Sequence, residues 1–220
     1  MRESSRSLAV SVLNRNPPQL LKCLLKSKNV LDTKSSVKFG FINVRSLFCH
    51  IDELRIFMND HNIDIFCVAE TWLNDKINNN SVALNGYNIL RYDRKHKRGG
   101  GVCIYFRKQF NMKVILATTY GITSITEVLM AELILSSITI LIAVCYTPKT
   151  PTQADLNNFQ VFLSSHAMNY SHFITGCDLN LDMLNSSHKF HDLLKAKFLI
   201  SIPFSPTRGS AWLDQCSCCC

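Results

Sequence analysis

Three oxygen-bearing side chains stand at alternate positions in FITGCDLNLDML (173–184): Asp178, Asn180 and Asp182. A strand turns successive side chains to opposite faces, so these three share one face. They follow directly on an apolar run, and so mark either a solvent-facing strand end or the wall of a site. Four more apolar runs close in the same manner, FGFIN at Asn43, DIFCVAE at Glu70, LIAVCY at Tyr146 and AWLD at Asp214. Strand ends along one edge of a sheet converge, and clefts there are where α/β proteins bind ligands. The five residues Asn43, Glu70, Tyr146, Asp178 and Asp214 are therefore candidates for one shared site.

The set is rich in oxygen ligands and poor in nucleophiles. The sequence has no GxSxG elbow and no GxxxxGK[ST] phosphate loop. Carboxylate and amide oxygens beside a tyrosine suit a hard cation such as Mg²⁺, which binds through one or two carboxylates and keeps its waters. A cation so held neutralises a phosphoryl oxygen and helps to activate water. This chemistry points to hydrolysis of a phosphodiester or phosphomonoester.

The elements that must position these residues are legible as periodicity. Strands are expected at 37–43, 63–70, 86–92, 100–108, 113–119 and 172–180. Helical spacing runs through 46–60, with Ser46 as the expected N-cap, through 154–168 and through 186–200. The apolar stretch 128–146 has the length of a membrane span. However, Glu132 and Ser136-Ser137 interrupt it, and a charge at mid-membrane costs about 2.5–3.5 kcal/mol, so a hairpin is expected. Many strands with a few helices between them imply an α/β sandwich, helices outside two packed sheets.

The 220 residues carry a net charge of +8, unevenly spread. Residues 1–38 hold eight Lys/Arg against Glu3 and Asp32, and RYDRKHKR (91–98) holds five against Asp93, so the rest of the chain is slightly acidic. Residues 1–36 read as a basic, poorly ordered extension, with a short helix possible at QLLKCLLK (19–26). Concentrated basic charge suits a polyanion, although a solvated tail and loop would look the same. Six single cysteines, four of them in apolar strand-like runs, are the habit of buried thiols in a reducing compartment, so a nuclear or cytoplasmic location is expected. The terminal CSCCC has no zinc-type spacing, and 215–220 is expected to be an irregular tail.

In order along the chain, FINVRSL (41–47), FCVAETWL (66–73), RYDRKHKRGGGVCIYF (91–106), EVLMAEL…ILIAVCYTP (127–148), GCDLNLDML (176–184), PTR (206–208) and AWLD (211–214) resemble the endonuclease/exonuclease/phosphatase superfamily. The likeness is greatest to the apurinic-type endonuclease domain of non-LTR retrotransposons, and it spans about 37–214. It implies a four-layer α/β sandwich, Mg²⁺ or Mn²⁺ as cofactor, DNA as partner and DNA nicking as activity. By matching motif, Glu70 would be the principal metal ligand and Asn43 would help to order metal and phosphate. Asp178 would orient or deprotonate the attacking water, Asn180 would hold that aspartate or the phosphate, and Tyr146 would donate to the scissile phosphate. Asp214 would orient a histidine near the C-terminus. Arg94, Lys95 and Arg98, beside the Gly99–Gly101 turn, would contact backbone phosphates. Asp182 receives no catalytic role and would cap the following turn.

Two departures accompany the likeness. Cys177 stands where the family has the glycine of Gly-Asp-x-Asn. The family's terminal Ser-Asp-His belongs well after Asp214, where this sequence runs into CSCCC, so the last strands of the sandwich and its histidine are expected to be missing. Two alternatives to a DNA endonuclease therefore stand: a catalytically inactive remnant with weak DNA binding, and a phosphatase of the same superfamily acting on a small substrate.

Overall fold

The computed structural model describes residues 21–26, 36–95, 97–121, 126–135, 138–170, 172–181, 200–201 and 214–219. Two sheets carry the architecture. One has β1 (Leu21–Lys26), β2 (Ser36–Asn43), β3 (Ile65–Ala69), β4 (Tyr87–Tyr92) and β5 (Val102–Arg107), in the spatial order β1-β2-β3-β5-β4. The other has β6 (Asn111–Tyr120), β7 (Thr126–Ile134), β8 (Thr139–Tyr146), β9 (His172–Asp178), β10 (Ile200–Ser201) and β11 (Asp214–Cys219), in the order β10-β11-β9-β8-β7-β6.

Each sheet contains one parallel pair, β2 with β3 and β8 with β9. A parallel pair needs a crossover, and each crossover here carries a helix. Helix α1 (Ile51–His61) links β2 to β3, and α2 (Gln153–Ala167) links β8 to β9. The helix α1 buries Ile51, Leu54 and Met58, and α2 buries Leu156, Phe159 and Leu163, each at the three-and-four spacing of one helical face. Three apolar layers result. Phe39, Phe41, Cys67, Ile104, Leu129, Val144 and Ile174 pack between the sheets. Leu54, Met58, Phe66 and Val68 pack under α1. Leu156, Phe159, Leu163 and Phe173 pack under α2. The order helix, sheet, sheet, helix is the four-layer α/β sandwich. No helix among the described residues is long and apolar enough to cross a membrane.

Several expectations are corrected. Residues 21–26 form a strand antiparallel to β2 rather than a helix, so the extension is not unstructured throughout. Their sequence already alternates, with Leu21, Cys23 and Leu25 at period two, and the free edge of β2 supplies the backbone partners. The tail is likewise not irregular: 214–219 runs antiparallel to β9, from Asp214 opposite Asp178 to Cys219 opposite Phe173. Helix α1 begins at Ile51 with His50 at the N-cap, not at Ser46. Before it starts, the backbone N–H groups of Ser46 and Leu47 are taken by the carbonyls of Glu70 and Thr71, at 2.9 and 2.8 Å. Arg45 and Ser46 adopt positive φ (45° and 97°) to reach them. Helix α2 starts from a capping box in which Thr152 and Asp155 exchange side-chain and backbone hydrogen bonds. The hairpin between β7 and β8 is as expected, closed by Leu135 N–H donating to the carbonyl of Ile138 at 2.9 Å. The expected helix over 186–200 lies outside the described residues, except that Ile200 begins a strand.

The two sheets approach closely at Gly176. A β-carbon at Gly176 would lie 2.4 Å from Cδ2 and 2.9 Å from Cβ of Phe41, which no real side chain tolerates. Gly176→Val must push the sheets apart and is expected to destabilise the fold by about 1–3 kcal/mol. Urea unfolding followed by tryptophan fluorescence measures this; an unchanged midpoint would contradict the packing described.

Candidate active site

The C-terminal ends of the two parallel pairs meet at one edge of the sandwich. There β2 ends at Asn43, Glu70 follows the last residue of β3, β8 ends at Tyr146 and β9 ends at Asp178. Asn43 lies opposite Ala69 in the first sheet, and Tyr146 lies opposite Asp178 in the second. Sheet register extends the second row to both sides: Glu127 opposite Tyr146, Tyr146 opposite Asp178, and Asp178 opposite Asp214. Asp214 opens β11 instead of closing a strand as expected, and the antiparallel register sets it opposite Asp178.

One amide joins the two sheets. The Nδ2 of Asn43 donates to Glu70 Oε1 at 2.8 Å and to Asp178 Oδ2 at 2.6 Å. Its Oδ1 accepts from the backbone N–H of Arg45 at 3.2 Å, which leaves the amide only this orientation. Glu70 is further held by the indole of Trp72, whose Nε1 donates to Oε2 at 3.2 Å. Asp178 is fully buried and accepts the backbone N–H of Asn180 on Oδ1 at 3.0 Å. Asn180 in turn donates its side-chain Nδ2 to the carbonyl of Thr147 at 2.5 Å. Glu70, Trp72 and Asn180 all have left-handed backbone (φ 52°, 54° and 51°). Non-glycine residues pay about 1–3 kcal/mol for this, and such strain clusters at functional sites.

Tyr146 is nearly buried at the rim of this cluster. Burial, then the negative charge of Glu70 and a hydrogen bond to it, then the charge of Asp178 push its phenol pKa well up. The group is therefore a proton-bearing donor at any ordinary pH.

The glycine-rich loop is built onto the site. Gly101 and Gly100 carbonyls accept the backbone N–H groups of Thr71 and Trp72 at 3.1 and 2.8 Å. All three glycines have φ between 69° and 86°. Side chains there would strike their neighbours: a β-carbon would lie 2.5 Å from Thr71 Oγ1 at Gly101 and 2.3 Å from Arg94 Cζ at Gly100. Of the three basic residues, Lys95 and Arg98 are exposed, and Arg98 lies over the Trp72 ring, 5.6 Å from its centroid. Arg94 points inward and pairs with Glu127. Glu127 and Trp72 are site residues that the sequence reading did not single out. The signal for Glu127 was a carboxylate at the head of an apolar strand run, EVLMAEL. Asp182 lies outside the described residues.

No group of three or more His, Cys, Asp or Glu side chains among the described residues is arranged to hold an ion unaided. A divalent cation held by one or two carboxylates completes its shell with waters and substrate oxygens. Glu70 and Asp178 are the two carboxylates that the Asn43 amide brings together and that could contribute oxygen to such an ion.

A sequence profile of the Endonuclease/Exonuclease/phosphatase family matches residues 40–212. The chain belongs to this family, a superfamily of metal-dependent phosphoesterases and nucleases. No curated protein sequence matches the chain. Among solved structures, the fold is similar to the AP endonuclease LMAP from Leishmania major (17% identity, 86% of this chain and 80% of that chain, TM-score 0.64). It is similar also to the endonuclease domain of TRAS1, a telomere-specific non-LTR retrotransposon (13%, 83% and 85%, 0.57). A mannosyl-6-phosphatase of Bacteroides thetaiotaomicron shares the fold to the same extent (12%, 83% and 85%, 0.63).

Tyr146 supplies a direct check on the site's electrostatics. A phenol raised in the folded state contributes stability that is complete below its unfolded pKa of about 10 and is lost as pH climbs through the folded value. Phenolate absorbance of wild type minus Tyr146→Phe should accordingly show no titrating tyrosine until pH exceeds about 10. A difference signal centred at or below that pH would contradict the burial beside Glu70 and Asp178.

Proposed function

We propose that the chain is a metal-dependent DNA endonuclease of the retrotransposon type. The observation that carries this reading is the Asn43 amide shared between Glu70 and Asp178, which brings a ligand-type carboxylate and a base-type carboxylate from different sheets to one place. The basic loop supports DNA over a small phosphate ester. Its Lys95, Lys97 and Arg98 are exposed, and Arg98 lies over the ring of Trp72, which bonds to Glu70, so a flanking phosphate backbone could meet this loop.

Each residue has a task that follows from its contacts. Glu70 is oriented by Asn43 and Trp72 to offer carboxylate oxygen to a divalent cation. When bound, that cation neutralises phosphoryl charge and lowers the pKa of water. Asp178, fixed on one oxygen by the Asn180 N–H and on the other by Asn43, is positioned to accept a proton from the attacking water. Asn180 keeps that carboxylate in place through its own tie to Thr147. Tyr146, held protonated, would turn its single O–H from Glu70 to a nonbridging phosphate oxygen. Asp214, opposite Asp178 in register, remains the candidate partner for an imidazole.

DNA binding without cleavage is a second reading, favoured by the placement of the described histidines. His50 pairs with Glu53, His61 and His166 bond to the Phe57 and Phe162 carbonyls in their own helices, and His172 opens β9 at the end far from Asp178.

Nicking of supercoiled plasmid with Mg²⁺ or Mn²⁺ separates the two. Glu70→Gln and Asp178→Asn should each lower the nicking rate about 10²–10⁴-fold, with the fold intact by circular dichroism. Nicking that survives Glu70→Gln or chelation would refute the active-site assignment. DNA binding by folded protein without any nicking would establish the second reading.

A further inference from the structure

Glu127 belongs to none of the roles above, yet it is among the most constrained carboxylates in the fold. It is 1% exposed and both its oxygens are used: Oε2 accepts the Gly101 N–H at 2.6 Å, and Oε1 accepts the Nε–H of Arg94. Burial pushes its pKa up, while Arg94 and the Gly101 N–H oppose that shift. A buried carboxylate persists as a charge when it is paired and hydrogen-bonded in this way.

Arg94 is the other half of the unit. Its side chain is 19% exposed, its Cζ lies 5.6 Å from the centroid of the Tyr146 ring, and a β-carbon at Gly100 would collide with the guanidinium. A guanidinium has five N–H donors. Among the described contacts only Nε–H is engaged, by Glu127. Four donors on a mostly buried cation, with no protein acceptor described for them, stand one ring away from Glu70 and Asp178. That is the environment of a group awaiting an anion.

We propose that Arg94 contacts the scissile phosphate itself rather than the flanking backbone, with Glu127 as the positioning residue that aims it. Glu127 and Tyr146 are adjacent across β7 and β8, so the guanidinium and the phenol present donors side by side to nonbridging oxygens of one phosphoryl group. Gly100 leaves room for the guanidinium, and Gly101 adopts the positive φ at which its N–H reaches the second oxygen of Glu127. The ligand class is a phosphate mono- or diester. The inference rests on the phosphoesterase reading and narrows it: Arg94 acts on the rate, whereas Lys95 and Arg98 act on affinity.

The test pairs plasmid nicking with salt-dependent DNA binding, and adds a readout that needs no activity. Arg94→Gln should lower kcat about 10²-fold or more, the usual effect of losing one transition-state donor, while KM and the salt slope of DNA binding stay near wild type. Lys95→Gln and Arg98→Gln should instead raise KM and each reduce the salt slope by about 0.9. Glu127→Gln retains an acceptor for Gly101 and is expected to lower kcat by up to about 10²-fold through misplacement of Arg94. If Glu127→Gln fails to fold, Arg94→Lys serves in its place, since it keeps the charge and loses the planar fork. An Arg94→Gln protein that keeps kcat and loses salt slope like Lys95→Gln would overturn the proposal.

Independently, inorganic phosphate should shift the Nε–H resonance of Arg94 in ¹⁵N-arginine-labelled protein saturably. Glu127→Gln should weaken that binding roughly tenfold, as loss of an orienting outer partner commonly does. No shift at phosphate concentrations that perturb other arginines would also overturn it. Should the wild type not nick DNA, the endonuclease reading falls, and the phosphate titration still decides the role of Arg94.

Discussion

A single side-chain amide holds two carboxylates of opposite sheets in register. Asn43 has two N–H donors on one nitrogen, and both are spent on anions, Glu70 in its own sheet and Asp178 in the other. Hydrogen bonds to charged acceptors contribute about 1.5–3 kcal/mol each, more than neutral ones. The neutral amide lets the two anions lie close without a resident cation from the protein. The pairing of β2 with β3 and of β8 with β9, the helical crossovers and the close approach at Gly176 all serve to bring that amide within reach of both.

The two parallel pairs explain why the polar strand ends gather at one edge. In a parallel pair both strands end at the same side, so Asn43 and Glu70 emerge together, as do Tyr146 and Asp178. Antiparallel neighbours then extend the second row at the same level, with Glu127 on one flank and Asp214 on the other. The row runs Glu127, Tyr146, Asp178, Asp214 across four adjacent strands. Each member is one strand from the next, so a displacement of any strand is felt by its neighbours.

The basic loop is a fitted part of this edge rather than a loose arm. Three glycines let its backbone bond to Thr71 and Trp72, directly after Glu70. The same loop sends one cation inward to Glu127 and leaves others outside. Charge of one sign in one short segment thus divides into two environments, decided by which side of the loop each residue faces. Strain at Glu70 and Trp72 is held by these contacts on both sides, from Ser46 and Leu47 and from Gly100 and Gly101.

Periodicity and strand-end chemistry were sufficient to read the sandwich and the convergence of Asn43, Glu70, Tyr146 and Asp178, because apolar runs and their polar terminators are local properties of the chain. The basic loop was visible as charge, for the same reason. What tertiary structure alone decided was partnership. Residues 21–26 and 214–219 became strands because the edges of β2 and β9 offer backbone partners, and α1 began late because Ser46 and Leu47 are spent on the carbonyls of Glu70 and Thr71. Arg94 turned inward for Glu127, thirty-three residues on. A sequence specifies which residues bury and which alternate; which buried charge meets which depends on register between strands distant in the chain, and that is set only when the sheets assemble.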